Sequence, residues 1–352
     1  MIPHSRPTTG GEEARAVAEV LNSRQVSMGK KTLQFENELS KFVGMKNTAM
    51  VSSGSNALQL ALQGMEISEN DEVIIPSFVC TALLNAVNLC GAKPVLVDCN
   101  YEDGNISFES ARKAIGKNTK AIIVPHMFGQ AADLKALLEL GIPVIEDCAQ
   151  AIGAEYAGKK VGGIGNVSVF SFYATKMITC GEGGAIASND GRILERAREL
   201  RDYTTQDKKY SLAYNAKPSD LQAAMALMQL RNLPAFVEKR RQIAKKYLRE
   251  LGKTGLELPE ERYGRKHAWY RFVVKLESES KRNAFAKKML EAGVQCGNGV
   301  KRPLHQMLGM SAKNFPNSEE LSRKLCSIPI YPSLQEEEIS RIIGAAKRAA
   351  VN

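Results

Sequence analysis

Pro143-Val144-Ile145-Glu146-Asp147-Cys148-Ala149-Gln150 is an apolar run closed by acids, and Val167-Ser168-Val169-Phe170-Ser171-Phe172 repeats the apolar pattern before passing through Tyr173-Ala174-Thr175 to Lys176. Short β-branched runs bounded by turn residues read as buried strands of a parallel sheet. Five more runs of this kind flank them, at 48–52, 73–76, 94–98, 121–125 and 184–188. Helical spacing of apolar residues lies between them at 56–63, 80–90 and 133–140, and after them at 191–201. That alternation predicts an α/β fold, a mainly parallel seven-stranded sheet covered by helices.

Further helical patterns occupy 218–233 and 234–251, and Pro234 between them predicts a kink or break. Beyond Gly252 the texture changes to a strand at 269–276, a helix at 280–292, a turn at Gly297-Asn298-Gly299 and closing helices. The expected organisation is a large α/β domain over 1–239 and a smaller C-terminal α+β domain over 240–352. A chain of 352 residues, 44% hydrophobic and 24% charged, has core enough for both and excludes wholesale disorder.

The charge is uneven. The chain carries 48 Lys+Arg against 38 Asp+Glu, net +10, and the whole excess lies between residues 231 and 310. Such a stretch suits an anionic partner or a solvated face. A nucleic-acid platform would need a helix-turn-helix or interleaved aromatic and basic residues, and Trp269, Tyr270 and Phe272 read instead as strand core. The seven cysteines are odd in number and lack a C-x-x-C spacing, so they read as reduced core thiols of a cytoplasmic protein. No apolar leader or membrane-length run is present in the sequence.

Two motifs mislead. Gly153-Ala154-Glu155-Tyr156-Ala157-Gly158-Lys159-Lys160 matches a phosphate loop until Lys160 stands where magnesium requires Ser or Thr, and it reads as a tight turn. Gly162-Gly163-Ile164-Gly165 lacks dinucleotide spacing. Four scattered histidines support no metal cluster.

The strand ends carry a coherent set instead. Ligands of parallel sheets bind beyond the carboxyl ends of the strands. Ser52-Ser53-Gly54-Ser55-Asn56 opens a helix whose free N–H groups favour a phosphate. Asp147 ends an apolar strand, where it can face a protonated ring nitrogen or simply cap the next segment. Lys176 lies in a small-residue, glycine-rich setting before Gly181-Glu182-Gly183-Gly184, where partial burial favours imine formation with an aldehyde. Phosphate anchor, ring-nitrogen partner and amine are the three grips of a pyridoxal phosphate site.

These residues belong to longer motifs. The run from Val144 to Lys159, then Phe170-Ser171-Phe172-Tyr173-Ala174-Thr175-Lys176 and Gly181-Glu182-Gly183-Gly184-Ala185, closely resembles the DegT/DnrJ/EryC1/StrS family of sugar aminotransferases. Ile2-Pro3-His4-Ser5-Arg6-Pro7, Asn215-Ala216-Lys217, Arg302-Pro303-Leu304-His305 and Ile328-Pro329-Ile330-Tyr331-Pro332 extend the resemblance over nearly the whole chain. It implies a fold-type I transferase that uses pyridoxal 5'-phosphate, as a homodimer with shared active sites.

By motif, Lys176 is expected as the Schiff-base lysine and Asp147 as the partner of the pyridine nitrogen. Ser55, Asn56 and Ser171 match phosphate contacts, Phe78 a ring stacked on the cofactor, and Gln150 a residue beside its hydroxyl. Asn215 matches a residue that reaches the neighbouring subunit's phosphate. Lys217, His305 and Tyr331 match substrate-side positions. Departures fall at Ser55, where threonine is usual, and at Asn166, Ala174 and Ala213. The implied activity is transfer of an amino group, from glutamate by family habit, to a keto-sugar, as a nucleotide-diphosphate 3- or 4-keto-deoxysugar. The alternatives are a keto-cyclitol aminotransferase, a sugar dehydratase, which in this family carries histidine in place of Lys176, and a non-enzymatic regulatory binder.

Overall fold

Each of the seven apolar runs forms a strand in the computed structural model, which describes residues 1–205 and 212–350. In chain order they are β1 (Asn47–Val51), β2 (Glu72–Pro76), β3 (Lys93–Val97), β4 (Thr119–Pro125) and β5 (Val144–Asp147), a hairpin of β6 (Glu155–Tyr156) and β7 (Lys159–Lys160), then β8 (Val167–Ser171) and β9 (Gly184–Ser188). The sheet order is β1-β9-β8-β5-β4-β2-β3. Pairs from β3 to β8 are parallel, and β9 is inserted antiparallel between β8 and β1. The β6–β7 hairpin occupies the false phosphate loop, its turn made by Ala157 and Gly158 at positive φ.

Helices cover both faces. On one, α3 (Gly54–Gly64), α4 (Ala82–Leu89) and α7 (Gly191–Arg201) bury Ala57, Leu58, Leu83, Val87 and Leu194 against β2, β8 and β9. On the other, α2 (Lys30–Val43) and the long α8 (Asp220–Leu251) pack Phe35, Leu39, Leu227 and Leu230 on Phe170 and Phe172. A helix α1 (Gly11–Ser23) lies along α8 through Ala16, Val20 and Ala224.

The expected break at Pro234 does not occur, because α8 runs unbroken through it. Proline removes one N–H from the ladder, but Leu230 and Leu233 before it and Arg240 and Ile243 after it are all buried, so packing holds both halves in one helix. The expected strand at 269–276 is confined to β11 (Phe272–Lys275), which pairs with β12 (Leu325–Ile328). Trp269 has φ +56°, so the chain bends between a short β10 (Arg265–Lys266), which pairs with β6, and β11. Cys80, read from sequence as core, is exposed just past β2, while Cys99, Cys148, Cys180 and Cys326 are buried. No helix among the described residues is long and apolar enough to cross a membrane.

The open edge of β1 is closed by side chains. Glu36 accepts from the Met50 amide at 2.7 Å and from Arg201 at 2.8 Å, Arg201 donates to the Met50 carbonyl at 2.6 Å, and Arg198 donates to the Thr48 carbonyl at 2.6 Å. Unpaired strand edges invite association, and here two helices satisfy the edge instead. Removing one partner of a buried ion pair leaves the other uncompensated. Glu36→Ala should therefore lower stability by about 3 kcal/mol in urea unfolding, whereas Glu38→Ala, which breaks the exposed pair with Arg231 and a 3.4 Å hydrogen bond from Gln34, should cost under about 1 kcal/mol.

Candidate active site

The carboxyl ends of β5 and β8, the turn after β1 and the start of α4 surround an open cleft holding about 740 Å³ of space, lined by Ser53, Gly54, Ser55, Asp147, Ser171 and Lys176 among others. Its parts are set by backbone demands. After β1 the chain turns at Ser53, whose Oγ accepts from the Asn56 amide at 3.1 Å and caps α3. Gly54 carries the turn against β8, since a Cβ there would come within 2.6 Å of the Ser171 Cβ. The N-terminus of α3, Ser55 and Ser171 thus meet at one end of the cleft.

Strand alternation sends neighbouring acids of β5 to opposite sides. Glu146 is wholly buried and accepts from His126 Nε2 at 3.1 Å and from the amides of Gly162, Ile164 and Gly165. Burial alone would raise its proton affinity, but His126 and the backbone donors outweigh it and hold the carboxyl below its ordinary value. His126 Nδ1 accepts from the Ala132 amide at 3.1 Å, so Nε2 carries the proton toward Glu146. His126, Glu146 and Cys148 lie close enough to share a metal ion, yet the histidine nitrogens and carboxylate oxygens are already engaged by protein groups.

Asp147 faces the cleft. Its Oδ1 accepts from the Ala149 amide at 3.0 Å. Burial raises the carboxyl above its ordinary value, opposed by that amide and by the charges of Lys176 and His126. A protonated nitrogen set against such a carboxyl favours the anion.

Lys176 projects from the loop between β8 and β9. That loop is closed at its base by Phe172 N to Gly183 O at 2.8 Å and Cys180 N to Phe172 O at 3.0 Å, and tied to α8 where Gln229 accepts from the Thr179 amide. The Lys176 amine stands 5.4 Å from the centre of the Tyr270 ring. Tyr270 is held there by a second clamp: Ala268 N donates to Gly129 O and Arg271 N to Phe128 O. Gly129, at φ +100°, permits the approach, because a Cβ would lie 2.7 Å from the Tyr270 amide. Burial would raise the Tyr270 phenol, but Lys176 and Arg271, with side-chain hydrogen bonds from Thr175 and Arg271, bring it down to about 8.

The DegT/DnrJ/EryC1/StrS aminotransferase family matches residues 7–347. GDP-perosamine synthase of Vibrio cholerae is 32% identical over 99% of this chain and 98% of its own. Among solved structures, the aminotransferase TlmJ from Streptoalloteichus hindustanus is 29% identical with a TM-score of 0.94, covering 99% of this chain and 98% of that one. DesV of S. venezuelae, solved with a ketimine intermediate, is 32% identical with a TM-score of 0.92, covering 97% and 95%. The chain belongs to the DegT/DnrJ/EryC1/StrS aminotransferase family.

It is a sugar aminotransferase that uses pyridoxal 5'-phosphate, with a keto-sugar and an amino donor as substrates. The cleft fits the cofactor. The α3 N-terminus with Ser55 and Ser171 suits the phosphate, the buried Asp147 carboxyl suits a ring nitrogen, and Lys176 is the cleft's amine.

Other expected residues lie around this centre rather than in it. Phe78 is wholly buried and edge-on to Phe128, 6.4 Å between ring centres. Asn56 Nδ2 donates to Ser52 Oγ at 2.8 Å. Gln150 Oε1 accepts from the Phe128 amide at 3.0 Å. Asn215 is exposed and bridged to Asp202, whose carboxylate also takes Lys217 at 2.5 Å. His305 is fully buried, with Nδ1 2.6 Å from Ser77 Oγ and Nε2 2.8 Å from Glu319. Tyr331 is buried beneath Arg6, 5.2 Å from its ring centre. Sequence reasoning missed Tyr270 as a neighbour of Lys176, since nothing local marks a contact made across the fold.

Two measurements follow. Gly54→Ala should weaken binding of pyridoxal 5'-phosphate to the apoprotein by more than about tenfold in an absorbance titration, because the added methyl meets Ser171. In the apoprotein a tyrosinate should form near pH 8, vanish in Tyr270→Phe and move to higher pH in Lys176→Ala, where the stabilising cation is gone. An unchanged midpoint in Lys176→Ala would refute the coupling.

Proposed function

We propose that the acceptor is a keto-sugar linked to a nucleoside diphosphate, a 3- or 4-keto-deoxysugar, that glutamate is the donor, and that the product is an amino sugar. The observation that carries this reading is the cleft that joins Lys176, Asp147 and the α3 N-terminus in a chain 32% identical, end to end, to GDP-perosamine synthase. The reading extends to the individual residues. Asp147 keeps a proton on the ring nitrogen, the α3 N-terminus with Ser55, Asn56 and Ser171 grips the phosphate, and Phe78 and Gln150 back the ring and its hydroxyl. When bound, the cofactor draws electrons from the carbon that bears the donor's amino group. Lys176, released by the incoming donor amine, takes the proton from that carbon and returns it on the other side of the amine exchange, acting as base and then acid. Its loop, tied at 172, 180 and 183, keeps the amine over the cleft while the side chain swings.

The same proposal includes a homodimer. Asn215 is exposed and does not line the cleft of its own chain, which fits a residue serving the neighbouring subunit's phosphate, and Lys217, His305 and Tyr331 fall to the substrate side. A separate core of Tyr247, Phe272, Phe285, Ile328 and Ile342 supports a small domain over 240–352 beside the large one over 1–239, with α8 shared between them. The setting proposed is the cytoplasm.

The test is a panel of nucleotide-linked 3- and 4-keto-deoxysugars and one keto-cyclitol, with glutamate as donor and amino-product formation as readout. At least one nucleotide-linked sugar should be aminated, and Lys176→Ala should lose at least about 10³-fold in rate. Amination of the keto-cyclitol alone would overturn the substrate assignment.

A further inference from the structure

Just beyond Lys176 on the same loop, Thr179 is buried, and its amide donates to Gln229 Oε1 at 3.2 Å. Gln229, 1% exposed on α8, turns its other end to two acceptors: Nε2 donates to the Thr8 carbonyl at 2.8 Å and to Glu13 Oε1 at 2.7 Å. The orientation of this amide is forced. A backbone N–H can only donate, while a carbonyl and a carboxylate can only accept, so a turned amide would set like against like on both sides.

The far partners are themselves fixed. Glu13 is buried in the first turn of α1, and its Oε2 accepts from the Gly10 amide at 2.8 Å. Among the described residues no cation meets it, and a buried carboxylate short of donors is costly, so Glu13 depends on the Gln229 amide as Thr179 does. The chain before Thr8 is held as well: Ile2 exchanges backbone hydrogen bonds with Gly293 and Gln295 at 2.8 and 2.9 Å, and Arg6 pairs with Glu338 at 2.7 Å.

Other hydrogen bonds at this end of the loop return to the loop itself, from Thr179 Oγ1 and the Cys180 amide to the Phe172 carbonyl. Gln222 also reaches it from α8, but its contact with the Glu182 carbonyl is exposed. Met177 and Ile178 add apolar burial, which is non-directional. Among the described residues, Gln229 thus makes the one buried hydrogen bond that ties the loop, on the C-terminal side of Lys176, to another element. Gln229 does not line the cleft, so it acts through the backbone. We propose that Gln229 is a positioning residue for Lys176, its amide set by Glu13 and Thr8 and its oxygen fixing where the chain leaves the lysine. The proposal rests on the reading that Lys176 is the amine that bonds the cofactor.

Gln229→Glu keeps the shape and replaces both N–H donors with oxygen, which sets two buried carboxylates against each other. In holoprotein carrying pyridoxal 5'-phosphate, amide hydrogen exchange over 177–183 should quicken by about 5- to 100-fold, the loss of one hydrogen bond to a buried amide, while β4 and β5 keep wild-type rates. The visible circular dichroism of the bound cofactor reads the geometry of its attachment, which a role in folding alone would not move. Per mole bound it should fall by about twofold or more, as expected when a reacting group is misplaced. Adding Glu13→Gln to Gln229→Glu exchanges amide and carboxylate and should recover part of both losses. Gln229→Met removes the polar ends without adding charge; it should quicken the same exchange and serves if Gln229→Glu does not fold. Unchanged exchange over 177–183 in the single variants would overturn the proposal. So would quickened exchange with cofactor dichroism unchanged, which would make Gln229 a brace of the fold alone. Absence of any recovery in the double variant would overturn the part given to Glu13. Borohydride fixes the cofactor to the amine that holds it, and a label on a different lysine with loosened exchange at 177–183 would fault the reading of Lys176 and uphold the brace on its loop.

Discussion

The buried carboxylate of Glu146 fastens three chain segments at the place where the chemistry must happen. It accepts from His126 just after β4 and from the backbone at Gly162, Ile164 and Gly165 just before β8, while its own strand runs between them. Satisfied by several donors, an ionised group at zero exposure is tolerated and rigidifies what it touches. Because alternate residues of a strand face opposite ways, fixing Glu146 on one side fixes Asp147 on the other. Asp147, the residue proposed to face the ring nitrogen, is thus aimed by the buried carboxylate of its neighbour in the strand.

The same division of labour recurs. Gly54, having no side chain, lets α3 close on Ser171. Gly129 and the strained Phe128, at φ +60°, let the 267–271 turn come down onto the end of β4 and deliver Tyr270 over Lys176. Strain of this kind persists where the surroundings over-determine it, and it clusters at functional sites. Here two backbone hydrogen bonds from 268 and 271 do the over-determining.

What could be read from sequence follows from how local its signal is. The seven strands were legible because parallel strands buried on both faces are continuous apolar runs. The helices α1 and α2 were not, because each begins after a glycine, Gly10 and Gly29, with no side chain to mark the start. Pro234 misled for a related reason, since a proline's cost is local while the packing that offsets it along α8 is not. In the site, Ser55, Asp147, Ser171 and Lys176 line one cleft and each ends or follows a sheet strand, where position along the chain foretells position in space. Tyr270 and Arg271 reach the centre only through a turn docked from the other end of the chain, and no spacing rule foretells that.

The basic stretch shows the same limit in electrostatic form. Its net charge looked like one unpaired surface, but several of its side chains are matched by acids from elsewhere in the chain: Arg231 by Glu38, Arg265 by Asp103 and Asp133, Lys266 by Glu155, and Lys239 and Lys246 by Glu336. Most of these pairs are exposed and worth little to stability, the largely buried Arg265–Asp103 pair excepted. Arg240 and Arg271 lie inside instead, beside Tyr270: Arg240 donates to its carbonyl and Arg271 helps to lower its phenol. Part of the excess is thus paired in space, while Arg240, Lys245, Lys253, Arg271, Lys281, Lys288, Lys301 and Arg302 make no salt bridge among the described residues.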